Sequence, residues 1–270
     1  MQKIKARYRY SAILLKQLVK TDFKIRYQNS ILGYLWTLLR PLFLFAILYV
    51  VFVKILKTGG DVPHFGVYLL LGIVIWNYFV EATTGSVAVM VAKGDIMRKV
   101  SFPRYVIVLA VSLSALINLT FNLIVVGIFM AIAKTQVSSS VVFLPLIIIE
   151  LFVFSLSVSF LLSALYVKYR DVGFIWEVGI QGAFFAIPIM YAFSFVSKKS
   201  VLAAKILISN PIAQLMQDAR YILISTKTET VYSTFGSAWG WAIPISIVIV
   251  MCFISILYFK RKSPFFAENV

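Results

Sequence analysis

Apolar runs at about 31–53, 66–91, 106–133, 142–166, 173–195 and 239–259 alternate with short polar connectors along the chain. Each run is long enough for a helix across a ~30 Å hydrocarbon core at 1.5 Å rise per residue. The pattern predicts an all-α membrane protein with six transmembrane helices, residues 31–270 forming one membrane domain. Residues 1–30 form a separate element before it. Within that element, residues 10–28 are amphipathic. At 100° per residue Leu14, Leu18 and Ile25 cluster, Leu15, Val19 and Phe23 widen the stripe, and Lys16, Lys20 and Lys24 make the opposite face. A basic amphipathic helix beside a membrane lies in the interface plane. Asp22 interrupts the apolar stripe and is expected to find a partner inside the protein.

The connector between the fifth and sixth runs, about 196–238, is not ordinary loop. Val201–Ser209 is apolar but too short to span. Asn210-Pro211 then supplies an N-cap and a proline at the first helical position, opening Ile212–Ser225. Two short apolar helices over 200–225 are expected to form a re-entrant pair, which needs protein or a water-filled cavity to satisfy its backbone.

Composition sharpens this picture. Charged residues are 13% of the chain and hydrophobic ones 61%, against roughly 25% charged in soluble domains. The net charge of +16 does not point to nucleic acid, because the basic residues flank apolar runs and form no domain of their own. They read as orientation signals and lipid headgroup contacts. Lys and Arg are densest at 1–29, 92–105, 167–172 and after 259, which places both termini on the cytoplasmic side. The first 29 residues are charged throughout, so no cleavable signal peptide is expected. Cys252 is the only cysteine and His64 the only histidine, so no intrachain disulfide, metal centre or His-based triad is expected. No Gly-x-x-x-x-Gly-Lys-[Ser/Thr] loop and no Gly-x-Ser-x-Gly elbow occurs. No catalytic residue is predicted, and the chain is not expected to hydrolyse ATP unaided.

Four groups of residues could serve function. Residues 93–104 combine a turn at Gly94-Asp95, basic Arg98 and Lys99, and a stop at Phe102-Pro103-Arg104, the makeup of an element that docks on a cytoplasmic partner. Glu81, Glu150 and Glu177 fall inside apolar runs, where carboxylates serve as proton sites or brace helices. Arg26 and Arg40 either anchor the chain or meet a lipid phosphate bidentately, and Arg40-Pro41 lies deep for an anchor. Trp36, Tyr49, Trp76 and Tyr191 belong to a dense aromatic set that either packs between helices or lines a path for sugar rings.

The stretch Asp22-Phe23-Lys24-Ile25-Arg26-Tyr27-Gln28-Asn29-Ser30-Ile31-Leu32-Gly33-Tyr34-Leu35-Trp36, leading to Pro41, resembles the opening motif of a known family. This is the family of ABC-2 type permease subunits of bacterial ABC exporters for lipid-linked polysaccharides, such as O-antigens, teichoic acids and capsular chains. Residues 94–104, the stretch Lys168-Tyr169-Arg170-Asp171-Val172, and Asn210-Pro211 followed by Arg220 resemble it in the same order. The resemblance implies two copies of the permease with two separate ATP-binding subunits, which hold ATP and Mg; this chain itself binds no cofactor. It implies that residues 93–104 are the coupling helix and that the 200–225 pair, with Asn210, Pro211 and Arg220, forms an outer gate. Spans one and five would flank a lateral entrance for a lipid-linked glycan, and the setting would be the bacterial cytoplasmic (inner) membrane. Alternatives are an ABC exporter of a small lipophilic compound and an ion-coupled secondary transporter using one of the three glutamates. A membrane glycosyl- or phosphotransferase is disfavoured, because no loop clusters Asp, Glu and His.

Overall fold

The computed structural model describes residues 2–27, 32–56, 62–95 and 102–266, with side chains from Ser11 to Lys24 in the first of these segments. Its regular elements are all helical among the described residues. The long ones are α1 (Gln2–Tyr27), α2 (Trp36–Tyr49, running on as a π-helical turn over Val50–Ile55), α3 (Phe65–Val87), and, after the short α4 (Val89–Ala92), α5 (Tyr105–Ala133) and α6 (Leu144–Lys168). Then come α7 (Val172–Ala186), α8 (Phe193–Ser197), α9 (Val201–Ile208), α10 (Pro211–Leu223), α11 (Val231–Phe235) and α12 (Ala242–Lys262).

Helix α3 is the axis of the bundle. It packs against α2, α5, α6, α7 and α10, and 78% of its most apolar window is buried, against 6% for the stretch containing α2. Lipid tails are as apolar as leucine, so helices in a membrane associate through close packing and hydrogen bonds rather than through the hydrophobic effect. The contacts follow that rule. Ala82, Thr83 and Ser86 of α3, Ser112, Ser114 and Ala115 of α5, and Ser155, Ser159 and Ser163 of α6 are all buried. These small side chains let backbones approach, and Ser159 Oγ donates across helices to the Ala82 carbonyl at 3.0 Å. The outer faces are the opposite. Ile124, Ile128 and Ile132 form an exposed stripe at four-residue spacing on α5, Phe174 and Val178 do so on α7, and Ile249 and Phe253 on α12. Apolar faces of this extent fit a hydrocarbon surround.

Among the described residues, five helical stretches are long and apolar enough to cross a membrane: Gly33–Ile55, Phe65–Val87, Tyr105–Ala133, Ser139–Lys168 and Ala238–Phe265. The continuous helix predicted over 173–195 is not formed. α7 ends at Ala186 after 15 residues, about 22 Å at helical rise. The reason is Pro188. The residue before a proline is pushed out of the helical region, and Ile187 is extended at φ −82°, ψ 144°.

The amphipathic face of α1 is used for packing on the protein. Leu18 is buried, with Leu14, Leu15 and Val19 beside it, in a cluster that includes Met90, Val106, Ile107 and Val111. Asp22 acts on Lys93: burial lowers the Lys93 ammonium's pKa, and the Asp22 carboxylate partly restores it. The partner expected for Asp22 is therefore a lysine at the start of the docking segment.

Candidate functional site

Helices α2, α3 and α5 border a cavity of about 510 Å³ that brings several polar side chains together between apolar helices. α2 contributes Trp36, Thr37 and Arg40; α3 contributes Asn77 and Glu81; α5 contributes Asn118 and Asn122. Trp36 and Arg40 are four residues apart and therefore share a face of α2. Asn118 lies ~20 Å along α5 from Tyr105 at 1.5 Å per residue, near the middle of that helix.

A backbone defect explains part of the arrangement. Pro41 sits inside α2 and is buried. Proline has no N–H, so the carbonyl four residues earlier loses its helical donor. That carbonyl belongs to Thr37, and Asn122 Nδ2 of α5 donates to it at 3.3 Å. The same amide donates to the Asn118 carbonyl at 2.8 Å. Asn118 Nδ2 in turn donates to Glu81 Oε1 at 2.6 Å, while its buried Oδ1 receives no donor. Three helices are thus joined by amides that also face the cavity. Arg40 is exposed beside them. A cation, a carboxylate, amides and an indole around one hollow can hold phosphate oxygens and sugar hydroxyls together.

The sequence-predicted residues distribute as follows. Trp36, Arg40 and Glu81 converge on the cavity. Arg26 belongs to α1 by its backbone, and its side chain lies outside the described residues. Trp76 is in the core, its ring 5.8 Å from Phe79 and 6.2 Å from Phe184. It is buried between these rings in this structure. Tyr49 tilts against Phe45 at 5.5 Å, and its ring fills the space a side chain at Gly66 would need. Tyr191 donates to the Ala186 carbonyl at 2.7 Å, closing the end of α7. Glu177 is exposed on α7, and Glu150 faces a second cavity between α6 and α10. Asn77, Asn118 and Asn122 were missed from the sequence. A lone amide in an apolar run costs burial as a carboxylate does, and was legible by the same reasoning.

In the docking segment, Gly94 and Asp95 are already helical. The predicted turn falls one residue earlier, at Lys93 with φ −104°, ψ 19°. Arg98 and Lys99 lie outside the described residues. Phe102 packs against the Val106–Val111 cluster. Pro103 and Arg104 open α5, their carbonyls accepting from Val106 and Ile107.

The short pair has the predicted break. Asn210 Oδ1 caps α10 by accepting from the Ile212 N–H at 2.9 Å, with Pro211 next. Arg220 is completely buried. Its guanidinium donates to the carbonyls of Tyr68, Pro188 and Ile189 at 3.2, 2.7 and 3.2 Å and to Gln217 Oε1 at 2.9 Å, and it stacks 3.5 Å from the Tyr68 ring centroid. A Cβ at Gly72 would collide with Arg220 Nη2. Burial pulls the arginine's pKa down to about 10, so it stays charged at neutral pH. It therefore clamps the break after α7 onto α3 and α10.

A bundle of long apolar helices around a cavity that carries a cation, a carboxylate and amides fits the membrane part of a transport protein. The description of the ABC-2 type transporter family matches residues 13–224, and the chain belongs to that family. It is 30% identical to an O-antigen export system permease protein RfbA of Klebsiella pneumoniae, over 83% of this chain and 85% of the relative. It is 27% identical to a second Klebsiella pneumoniae protein of that name over the same shares. A Myxococcus xanthus protein of that name is 26% identical over 97% of each chain.

Proposed function

We propose that this chain is the membrane-spanning permease subunit of an ATP-driven exporter that moves a lipid-linked polysaccharide across the bacterial cytoplasmic membrane. It works as two copies with two separate ATP-binding subunits, which hold ATP and Mg. Both termini face the cytoplasm. α7, with the segment that follows it, completes a sixth crossing, and α9 and α10 dip in from outside as the gate. Residues 93–104 seat on the ATP-binding subunit. Family membership and the export permeases among the relatives support this reading.

The observation that carries the substrate class is the cavity lined by Trp36, Arg40, Asn77, Glu81, Asn118 and Asn122. A small lipophilic cargo has no use for that density of donors and acceptors, whereas a sugar phosphate does. One charge-assisted contact contributes about 1.5–3 kcal/mol, so Arg40→Gln and Glu81→Gln should each lower surface glycan roughly tenfold or more. Glycan should then accumulate inside the cell, with the ATP-binding subunit still co-purifying. Normal surface glycan in both variants would overturn the assignment.

A further inference from the structure

A second cavity, of about 670 Å³, lies between α6, α10 and α12 and has a different character. Phe143, Leu146 and Ile245 give it apolar walls, and Glu150, Gln214 and Asp218 also line it. Gln214 is 2% exposed. Its Nε2 donates to Asp218 Oδ2 at 2.8 Å, and Trp241 Nε1 donates to the same oxygen at 3.0 Å. Three acceptors, Glu150 Oε1, Gln214 Oε1 and Asp218 Oδ1, are buried without a donor. The exposed Lys227 lines the cavity as well but reaches none of these oxygens. A buried acceptor without a donor is destabilising, and two carboxylates together are more so unless a cation joins them.

In a chain of net charge +16, this is a site for a positive group. The three open acceptors match the three N–H donors of a primary ammonium. Glu150 lies ~9 Å from the start of α6 at helical rise, within headgroup reach, and the apolar walls suit an acyl chain. We propose that this cavity binds an aminophospholipid, its ethanolamine ammonium on Glu150, Gln214 and Asp218 and its phosphate toward Lys227.

The full-length chain, purified in detergent, is exposed to phosphatidylethanolamine, its N-methyl and N,N-dimethyl forms, and phosphatidylcholine, all with the same acyl chains. Retained lipid is read by native mass spectrometry and thermal stabilisation in parallel. Loss of donors across the series should weaken retention stepwise, with phosphatidylcholine held at least about tenfold less than phosphatidylethanolamine. Glu150→Gln should flatten the series while leaving total lipid binding elsewhere unchanged. A flat series in the wild-type chain would overturn the proposal, showing a cavity that takes acyl chain alone. So would a full ethanolamine preference in Glu150→Gln. Equal stabilisation by free ethanolamine would show a site for a soluble amine and also overturn it.

Discussion

Replacing Arg220 with methionine removes the clamp at the break after α7 while keeping a side chain of similar length. The variant loses four hydrogen bonds, to the Tyr68, Pro188 and Ile189 carbonyls and to Gln217 Oε1. It also loses the stacking on Tyr68. The Tyr68 carbonyl keeps a partner in its own helix, and Gln217 Oε1 keeps the Tyr68 hydroxyl at 3.0 Å. Pro188 and Ile189 lie outside any helix and lose theirs. Each hydrogen bond to a charged group contributes about 1.5–3 kcal/mol, offset by the cost of burying the guanidinium. Leaving the Pro188 and Ile189 carbonyls buried without a donor costs about 1–3 kcal/mol each. For a chain of this size the two together correspond to a fall of roughly 10 °C in the unfolding midpoint. Arg220→Lys should fall between, because one ammonium cannot reproduce the planar fork. Gly72→Ala should move in the same direction, since its Cβ meets Nη2. Thermal unfolding of the detergent-solubilised full chain measures all three. An Arg220→Met midpoint within ~2 °C of wild type would refute the clamp.

Three further outcomes follow from other sites. Asn122→Ala leaves the Thr37 carbonyl without its donor and should cost about 1–3 kcal/mol; the double variant Asn122→Ala/Pro41→Ala, which restores a backbone donor, should recover most of that in the same unfolding assay. Burial raises the Asp218 pKa above the ordinary 3.8, so the folded state favours the protonated form. Its stabilising contribution is complete below 3.8 and is lost as pH rises through the raised value. Asp218→Asn should flatten the midpoint-against-pH curve over that window, and an unchanged curve would contradict the assignment. Charge reversal of Arg98 and Lys99 should abolish co-purification of the ATP-binding subunit and export while leaving the unfolding midpoint unchanged, and normal export would remove the docking role.

The sequence made the bundle legible because burial in lipid demands long apolar runs, and Asn210-Pro211 announced its helix start by local chemistry. The break after α7 was written equally locally, in Pro188, yet the apolar run through 173–195 hid it. Trp36, Arg40 and Glu81 could be flagged singly, but which of them share a cavity depends on packing between distant helices. That also explains the opposite fates of Trp76 and Trp36, one buried against Phe184 and one at a cavity. The clamp made by Arg220 could not be read in advance, because its carbonyl partners at Tyr68, Pro188 and Ile189 are backbone atoms, which leave no mark in a side-chain pattern.

Under the function proposed above, glycan passes the cavity between α2, α3 and α5. A photo-crosslinking residue placed at Trp36 or Asn77 tests it in exporting cells, with the same residue at lipid-facing Ile249 as reference. Polysaccharide-bearing adducts are expected at Trp36 and Asn77, dependent on ATP supply, and none at Ile249. Equal labelling at all three positions, or none at the cavity while export proceeds, would contradict it.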